Sequence, residues 1–427
     1  MSTTITEKVR ASLGKRYARE KRFRAYGFIS IALSLMFLVL LMFNIFSKGL
    51  PAFSSTYIKL DVTLDAQTLG VTADATPEQL RTASYNSVVQ KGVQALFPAV
   101  EERKQKKALK SLVSGDAQYE LQRMVLADPK LIGTNQTVWV LADDDIDMFH
   151  KGYVDRTAPE ADRRIKDFQL VWLDKLEAEG RIDSQFNTTF FTRGDSREPE
   201  QAGILSALMG SVYTMSLTLL FAFPLGVMAA IYLEEFAPKN NFWVDFIEVN
   251  INNLASVPSI IFGLLGLAVF IQIFGMPRSS PLVGSFVLTL MILPTIIIAS
   301  RAALKSVPPS IREGALGIGA SKTQSVFHHV VPLAMPGILT GTIIGMAHAV
   351  GESAPLLMVG MVAFIVDVPH GITDPATILP VQIYLWADSP ERAFTERTSA
   401  AIIILLAFMI LMNLLAIVLR KQFERRW

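Results

Sequence analysis

Residues 305–332 read Lys305-Ser-Val-Pro-Pro-Ser310-Ile-Arg-Glu-Gly-Ala315-Leu-Gly-Ile-Gly-Ala320-Ser-Lys-Thr-Gln-Ser325-Val-Phe-His-His-Val330-Val-Pro332. Two helix starts are written into this stretch. Ser310 is followed three residues on by Glu313, and Ser321 by Gln324, the spacing of reciprocal side-chain caps. Glycines 314, 317 and 319 lie between them and permit a sharp reversal. The pattern predicts a short helix, a glycine-rich bend and a second helix, with Leu316, Ile318, Val326 and Phe327 offering apolar surface. On either side lie the apolar runs 282–300 and 333–366, whose one charged residue is Glu352. A helix needs about 20 apolar residues to cross a bilayer. The stretch is therefore a polar connection between two membrane spans.

Working outward, four further runs of comparable length occupy residues 25–46, 201–233, 250–276 and 398–419. The expected architecture is an all-α membrane protein of six transmembrane helices. Composition agrees: 51% of residues are hydrophobic and 18% charged, against roughly 25% charged in soluble domains. The net charge of +2 gives no electrostatic case for a nucleic-acid partner. Cysteine is absent, which excludes disulfides, thiolate metal sites and cysteine catalysis.

Residues 48–199, between the first two spans, hold 43 of the 78 charged residues, and their apolar positions become periodic. Thr76 with Gln79 and Pro77 marks a helix start. Over residues 159–179, Ile165, Phe168, Trp172 and Leu176 share one helical face, which Gly180 ends. Residues 57–64 and 186–192 are rich in β-branched and aromatic side chains and read as strands. The insertion is expected to be a mostly helical, possibly α+β, soluble domain. The division is a basic leader (1–24), a first span (25–47), the insertion (48–199) and a five-span core (200–427).

Lysines and arginines orient the spans. Eight precede the first span, and Arg420, Lys421, Arg425 and Arg426 follow the last. Arg301, Lys305, Arg312 and Lys322 lie in or beside the connection at 305–332. Both termini and that connection are thus expected on the cytoplasmic side, with the insertion outside. The loop at 234–248 is net acidic and runs against this trend.

Glu352 sits inside the fifth apolar run, where an unpaired carboxylate costs ~2.5–3.5 kcal/mol or more. His348 precedes it by one helical turn. The pair is a candidate for the path or its gate; the alternatives are a structural pair, or a span end nearer the interface. Glycines 337, 341 and 345 form a stripe suited to close helix packing. Residues 317–323 lack the glycines that a phosphate-binding loop needs before its lysine, so ATP is not bound there. Asp143, Asp144, Asp145 and Asp147 lack the alternating ligands and glycine of a calcium loop and read as a helix start or solvated turn.

The connection resembles the cytoplasmic signature of binding-protein-dependent ABC importer permeases: Glu-Ala-Ala, three residues, Gly, nine residues, Ile-x-Leu-Pro. Glu313, Ala315, Gly319 and Pro332 fall in register, while Gly314 replaces the first alanine and His329 and Val331 take the two apolar places. Residues 254–263, 293–295, 306–315 and 351–357 are similar to one branch, the phosphate permeases of the PstA type. The resemblance covers residues 200–427 and implies a type I importer permease, not an enzyme, in the bacterial inner membrane. It implies a coupling helix through Glu313, Gly314, Ala315, Gly319 and Pro332, with Glu352, His348 and Arg301 at the path. In relatives an arginine often stands four residues before the glutamate, where this chain has His348. Partners implied are a homologous permease subunit (a heterodimer), two ATP-binding subunits, a periplasmic phosphate-binding protein and membrane lipid. No cofactor is expected on this chain, ATP being used by the partner. Import of another oxyanion such as sulfate or molybdate stays open, as does a transmembrane sensor built on the insertion.

Overall fold

The computed structural model describes residues 5–71, 76–362 and 364–423. A single helix, α1 (Ile5–Gly49), runs through the leader and the first apolar stretch. The insertion follows as a three-stranded antiparallel sheet with helices packed on one face. β1 (Ser54–Thr63) is its centre, flanked by β2 (Asn135–Leu141) and β3 (Ile182–Phe186), with Tyr57 opposite Leu141 on one side and Asp183 on the other. Ile58, Leu60 and Val62 alternate onto the buried face, as the period of two dictates. They meet α2 (Tyr85–Leu96) through Val88, Val89 and Val93, with Leu121 and Val125 of α3 (Ala117–Ala127) completing the same core.

Asp143 caps α4 (Asp144–His150), its side chain accepting from the Asp145 amide, which is the helix start expected of the acidic run. The capping box at Thr76 is formed. Two expectations in the insertion are corrected. The helix expected over 159–179 begins only at Asp167, as α5 (Asp167–Ala178), because a 3-10 turn and extended backbone occupy 160–166. The strand expected over 186–192 is displaced: β3 ends at Phe186, and Asn187 caps a short helix, α6 (Thr188–Thr192), through the Phe190 amide.

The core begins with α7 (Leu205–Ile231), which continues into a π turn at Tyr232–Phe236. Next come α8 (Phe242–Leu254) and α9 (Ser259–Gly266), then the central helix α10 (Pro281–Lys305), whose Val283, Val287, Leu288, Ile292 and Ile296 are fully buried. The polar connection carries α11 (Pro309–Gly317); α12 (Val331–Gly351), α13 (Ala354–Met358), α14 (Leu379–Ala387) and α15 (Phe394–Phe423) complete the chain. Among the described residues, five helices are long and apolar enough to cross a membrane, and six if the bent pair Phe242–Leu254 and Ser259–Ile273 is one span.

Two spans are therefore broken where the apolar runs were continuous. The third bends by 105° at 255–258, where Pro258 disfavours helical backbone at Val257. The fifth, expected over 333–366, stops at Gly351. Pro355 has no N–H to give the Gly351 carbonyl, and its ring would clash there. Gly337 and Gly341 lie against Ala303 and Ala299 of α10, so the glycine stripe brings α12 close to the central helix.

In the insertion Glu120 and Asp143 are half-buried, and Glu200, at its junction with the core, is buried; one carboxylate oxygen each of Glu120 and Glu200 has no hydrogen-bond partner. Burial, with help from Asp144 and Glu200, pushes Asp143 up to about 8; burial also pushes Glu120 and Glu200 up to about 7. In the unfolded chain these groups titrate near pH ~4. Folding takes up protons between those values, so stability falls as pH rises from ~4 to ~8. The insertion of the intact chain in detergent is expected to resist heat and protease better near pH 5 than near pH 8. Glu200→Gln should narrow that difference; an insertion more stable near pH 8 would contradict this reading.

Candidate functional site

The connection at 305–332 is built from punctuation. Pro308 caps α11 and Pro309 opens it, a position where the missing N–H costs nothing. Ser310 is thereby drawn inside the first turn, and the Ser310/Glu313 capping box does not form. Glu313 is left exposed. Gly319 ends the helix at φ +91°, a left-handed backbone that favours glycine. The Ala320 amide closes back on the Ala315 carbonyl at 3.1 Å. The second box is present: the Gln324 amide donates to Ser321 Oγ at 3.2 Å, and the Ser321 amide to Gln324 Oε1 at 2.9 Å. A π turn at Val326–Val330 precedes Pro332, a wide turn of the kind that accommodates a missing helical bond. Ala315 is buried, whereas Leu316, Phe327 and Ile318, the last 84% accessible, are exposed. Nothing lies within 4 Å of a Cβ placed at Gly314, so the family's alanine would fit.

What holds α11 to the membrane core is Arg312, which motif reading passed over. Its Nε lies 3.2 Å from both carboxylate oxygens of Glu235, and its Nη2 lies 2.5 Å from Oε1. It also donates to the carbonyls of Val307 (2.7 Å) and Leu304 (2.9 Å) at the end of α10. The Glu235 side chain is 7% accessible. Its neighbour in the π turn, Glu234, pairs with Arg301 (3.4 Å) and Lys305 (3.6 Å), and Arg301 also reaches Glu248 of α8 at 2.6 Å. The acidic loop that opposed the positive-inside count is thus satisfied within the fold. Its carboxylates neutralise the arginines of the neighbouring connection.

The second candidate lies at the break after α12. His348 Nε2 and Glu352 Oε1 are 2.9 Å apart, with Glu352 at the C-terminal cap. Extending the register of Gly337 on Ala303 and Gly341 on Ala299 puts Glu352 level with Leu288, about 10 Å inward of the Pro281 end of α10 at 1.5 Å per residue. The pair therefore sits within the thickness of the core, at a helix end. The short helix beyond it packs on α9, where the Pro355 backbone stands against Gly263. Two broken spans meet there, and irregular backbone at membrane depth is tolerated where protein or a water-filled cavity surrounds it. Arg301, grouped with this pair from the resemblance, is held by Glu234 and Glu248 at the opposite end of α10, and the structure does not bring it to Glu352.

A family profile described as "Binding-protein-dependent transport system inner membrane component" matches residues 222–427, and a domain of unknown function, DUF3333, matches 10–160. The chain is 33% identical over 240 residues to the phosphate transport system permease protein PstA 1 of Mycobacterium tuberculosis, covering 56% of this chain and 77% of that protein. It is 30% identical over 224 residues to PstA of Haemophilus influenzae, covering 52% and 78%. It is 34% identical over 174 residues to the probable ABC transporter permease protein YqgI of Bacillus subtilis, covering 41% and 58%. The profile match contains both the connection at 305–332 and the helix break, and with the phosphate permease relatives the chain belongs to the binding-protein-dependent inner-membrane permeases, in their PstA-type branch.

Proposed function

We propose that this permease subunit imports inorganic phosphate, driven by ATP hydrolysis in a partner chain. The observation that carries the reading is the likeness to phosphate permeases across more than three quarters of their length. It is supported by the connection at 305–332, where Glu313, Gly314, Ala315 and Gly319 fall on one short helix and its closing turn, with Glu313 exposed. Pairing with a homologous permease, as a heterodimer, would enclose a path at the two broken spans. Two ATP-binding subunits would dock on Leu316, Ile318 and Phe327 beside Glu313, and a periplasmic phosphate-binding protein would deliver the anion. Both termini are assigned to the cytoplasm and residues 48–199 to the periplasm. This chain itself takes no cofactor. Glu352 repels an anion, so its place is to hold or release a cationic group, with phosphate-binding cations supplied largely by the companion subunit.

Uptake of labelled phosphate at micromolar external concentration, with and without this chain, tests the substrate. Loss of phosphate uptake alone supports the reading, and loss of sulfate uptake in a parallel assay moves the substrate to another oxyanion. Glu313→Ala should abolish coupling while membrane insertion persists. Unchanged uptake and unchanged co-purification of the ATPase would reduce Glu313 to a surface residue.

A further inference from the structure

The insertion leaves its own fold through residues 193–197, and this segment is fastened to three separate outer elements of the core. The carbonyls of Arg193 and Gly194 accept from the amides of Leu205 (3.0 Å) and Gly203 (2.8 Å), where α7 begins. The Asp195 amide donates to the carbonyl of Ile365 at 3.0 Å, in the loop that follows the helix break. Its carboxylate accepts from Trp386 Nε1 of α14 at 2.8 Å. Gly194 lies so close to the Val366 carbonyl that a Cβ would overlap it, and the Arg197 guanidinium stands 5.8 Å from the Phe364 ring centre. Asp195, Ile365 and Trp386 are all at most 9% accessible. Between the segment and the loop lies a cavity of about 660 Å³, bordered by Arg193, Arg197, Phe364 and Asp367.

The body of the insertion is fixed to the core at a second place. Lys151 bridges Asp147 (2.7 Å) to Glu396 of α15 (2.8 Å), and Arg164 pairs with Glu391 at 2.7 Å. All three bridging side chains of the Lys151 group are nearly inaccessible. With one attachment at α15 and another at the 364–366 loop, the insertion spans the outer ends of the second, fifth and sixth spans. The loop it grips is the continuation of the broken helix that carries Glu352.

We infer that residues 193–197 are an outer clamp of the permease. They hold the 364–366 loop against the start of α7 and Trp386 in the resting state, and release it when the path opens outward. This gives the insertion a function, restraint of the external gate, and it rests on the reading of the chain as a permease. Gly194 serves by the absence of a side chain, and Asp195 by joining two elements through one residue.

The chain has no cysteine, so Ile365→Cys introduces a single thiol inside the clamp. In the assembled importer, its labelling by a membrane-impermeant maleimide should be slow at rest. Trapping the partner ATPase in its closed state should accelerate it. Gly194→Val and Asp195→Ala should each raise the resting rate about tenfold or more, the signature of a more populated local opening. Trp386→Phe, which keeps an aromatic ring but loses the indole N–H hydrogen bond to Asp195, should raise it less. Unchanged protease resistance of the insertion would confirm that the loop is released rather than the domain unfolded. Equal labelling rates in all variants, or fast labelling at rest in the intact clamp, would overturn the proposal. Because labelling requires no phosphate, a clamp that responds in a chain that moves no phosphate would sink the substrate assignment and leave the clamp standing.

Discussion

Arg312→Ala should reduce ATP-driven uptake by at least about tenfold, equivalent to ~1.4 kcal/mol, with the chain still inserted in the membrane. The substitution leaves the Glu235 carboxylate, 7% accessible, without its cation. Breaking one side of a buried pair typically costs ~3–5 kcal/mol, enough to detach α11 from the π turn or distort both. The Val307 and Leu304 carbonyls lose their donor at the same time. Arg312→Lys should rescue only in part, because an ammonium cannot reproduce a fork that meets a carboxylate and two carbonyls together. The double variant Glu235→Gln with Arg312→Ala should be milder than Arg312→Ala alone, since the uncompensated charge is gone. Purified complexes reporting ATP hydrolysed per substrate moved decide the matter. Wild-type stoichiometry in Arg312→Ala, or strictly additive losses in the double variant, would remove the pair from the coupling route.

The second large effect is expected at the helix break. Glu352→Gln keeps the size of the side chain and can still accept from His348, but it removes the negative charge that could hold or release a cationic group at the helix break. Uptake should fall by about tenfold, ~1.4 kcal/mol, with assembly preserved. His348→Arg places a fixed cation beside Glu352, one helical turn away, and should retain uptake. Normal uptake in Glu352→Gln would return the pair to a packing role.

What was legible in the sequence was local. The capping boxes at Thr76 and Ser321, the alternation of Ile58, Leu60 and Val62, the glycine stripe and the run lengths all depend on residues within a turn or two. The break after Gly351 escaped a hydropathy count because both sides of it are equally apolar. Pro355 was the available signal, four residues beyond the last helical carbonyl. At 308–310 the tandem prolines took the cap position and displaced Ser310 into the helix, so a valid capping pattern went unused. Arg312 and Glu235 are 77 residues apart, and no periodicity links them. Their only trace was an acidic loop facing the basic connection, which appeared as an exception to the charge rule. The pairing of His348 with Glu352, by contrast, follows from four-residue spacing on one helix, and the structure forms it at 2.9 Å.

The central claim is that this chain forms part of an ATP-driven path for phosphate, and reconstitution tests it most directly. The chain would be placed in proteoliposomes with its companion permease, the ATPase and the phosphate-loaded binding protein, and accumulation of labelled phosphate measured against ATP. Accumulation is expected to require ATP, to be lost when this chain is omitted and to resist competition by excess sulfate. Accumulation that persists without this chain, or ATP-dependent uptake of sulfate in place of phosphate, would contradict it.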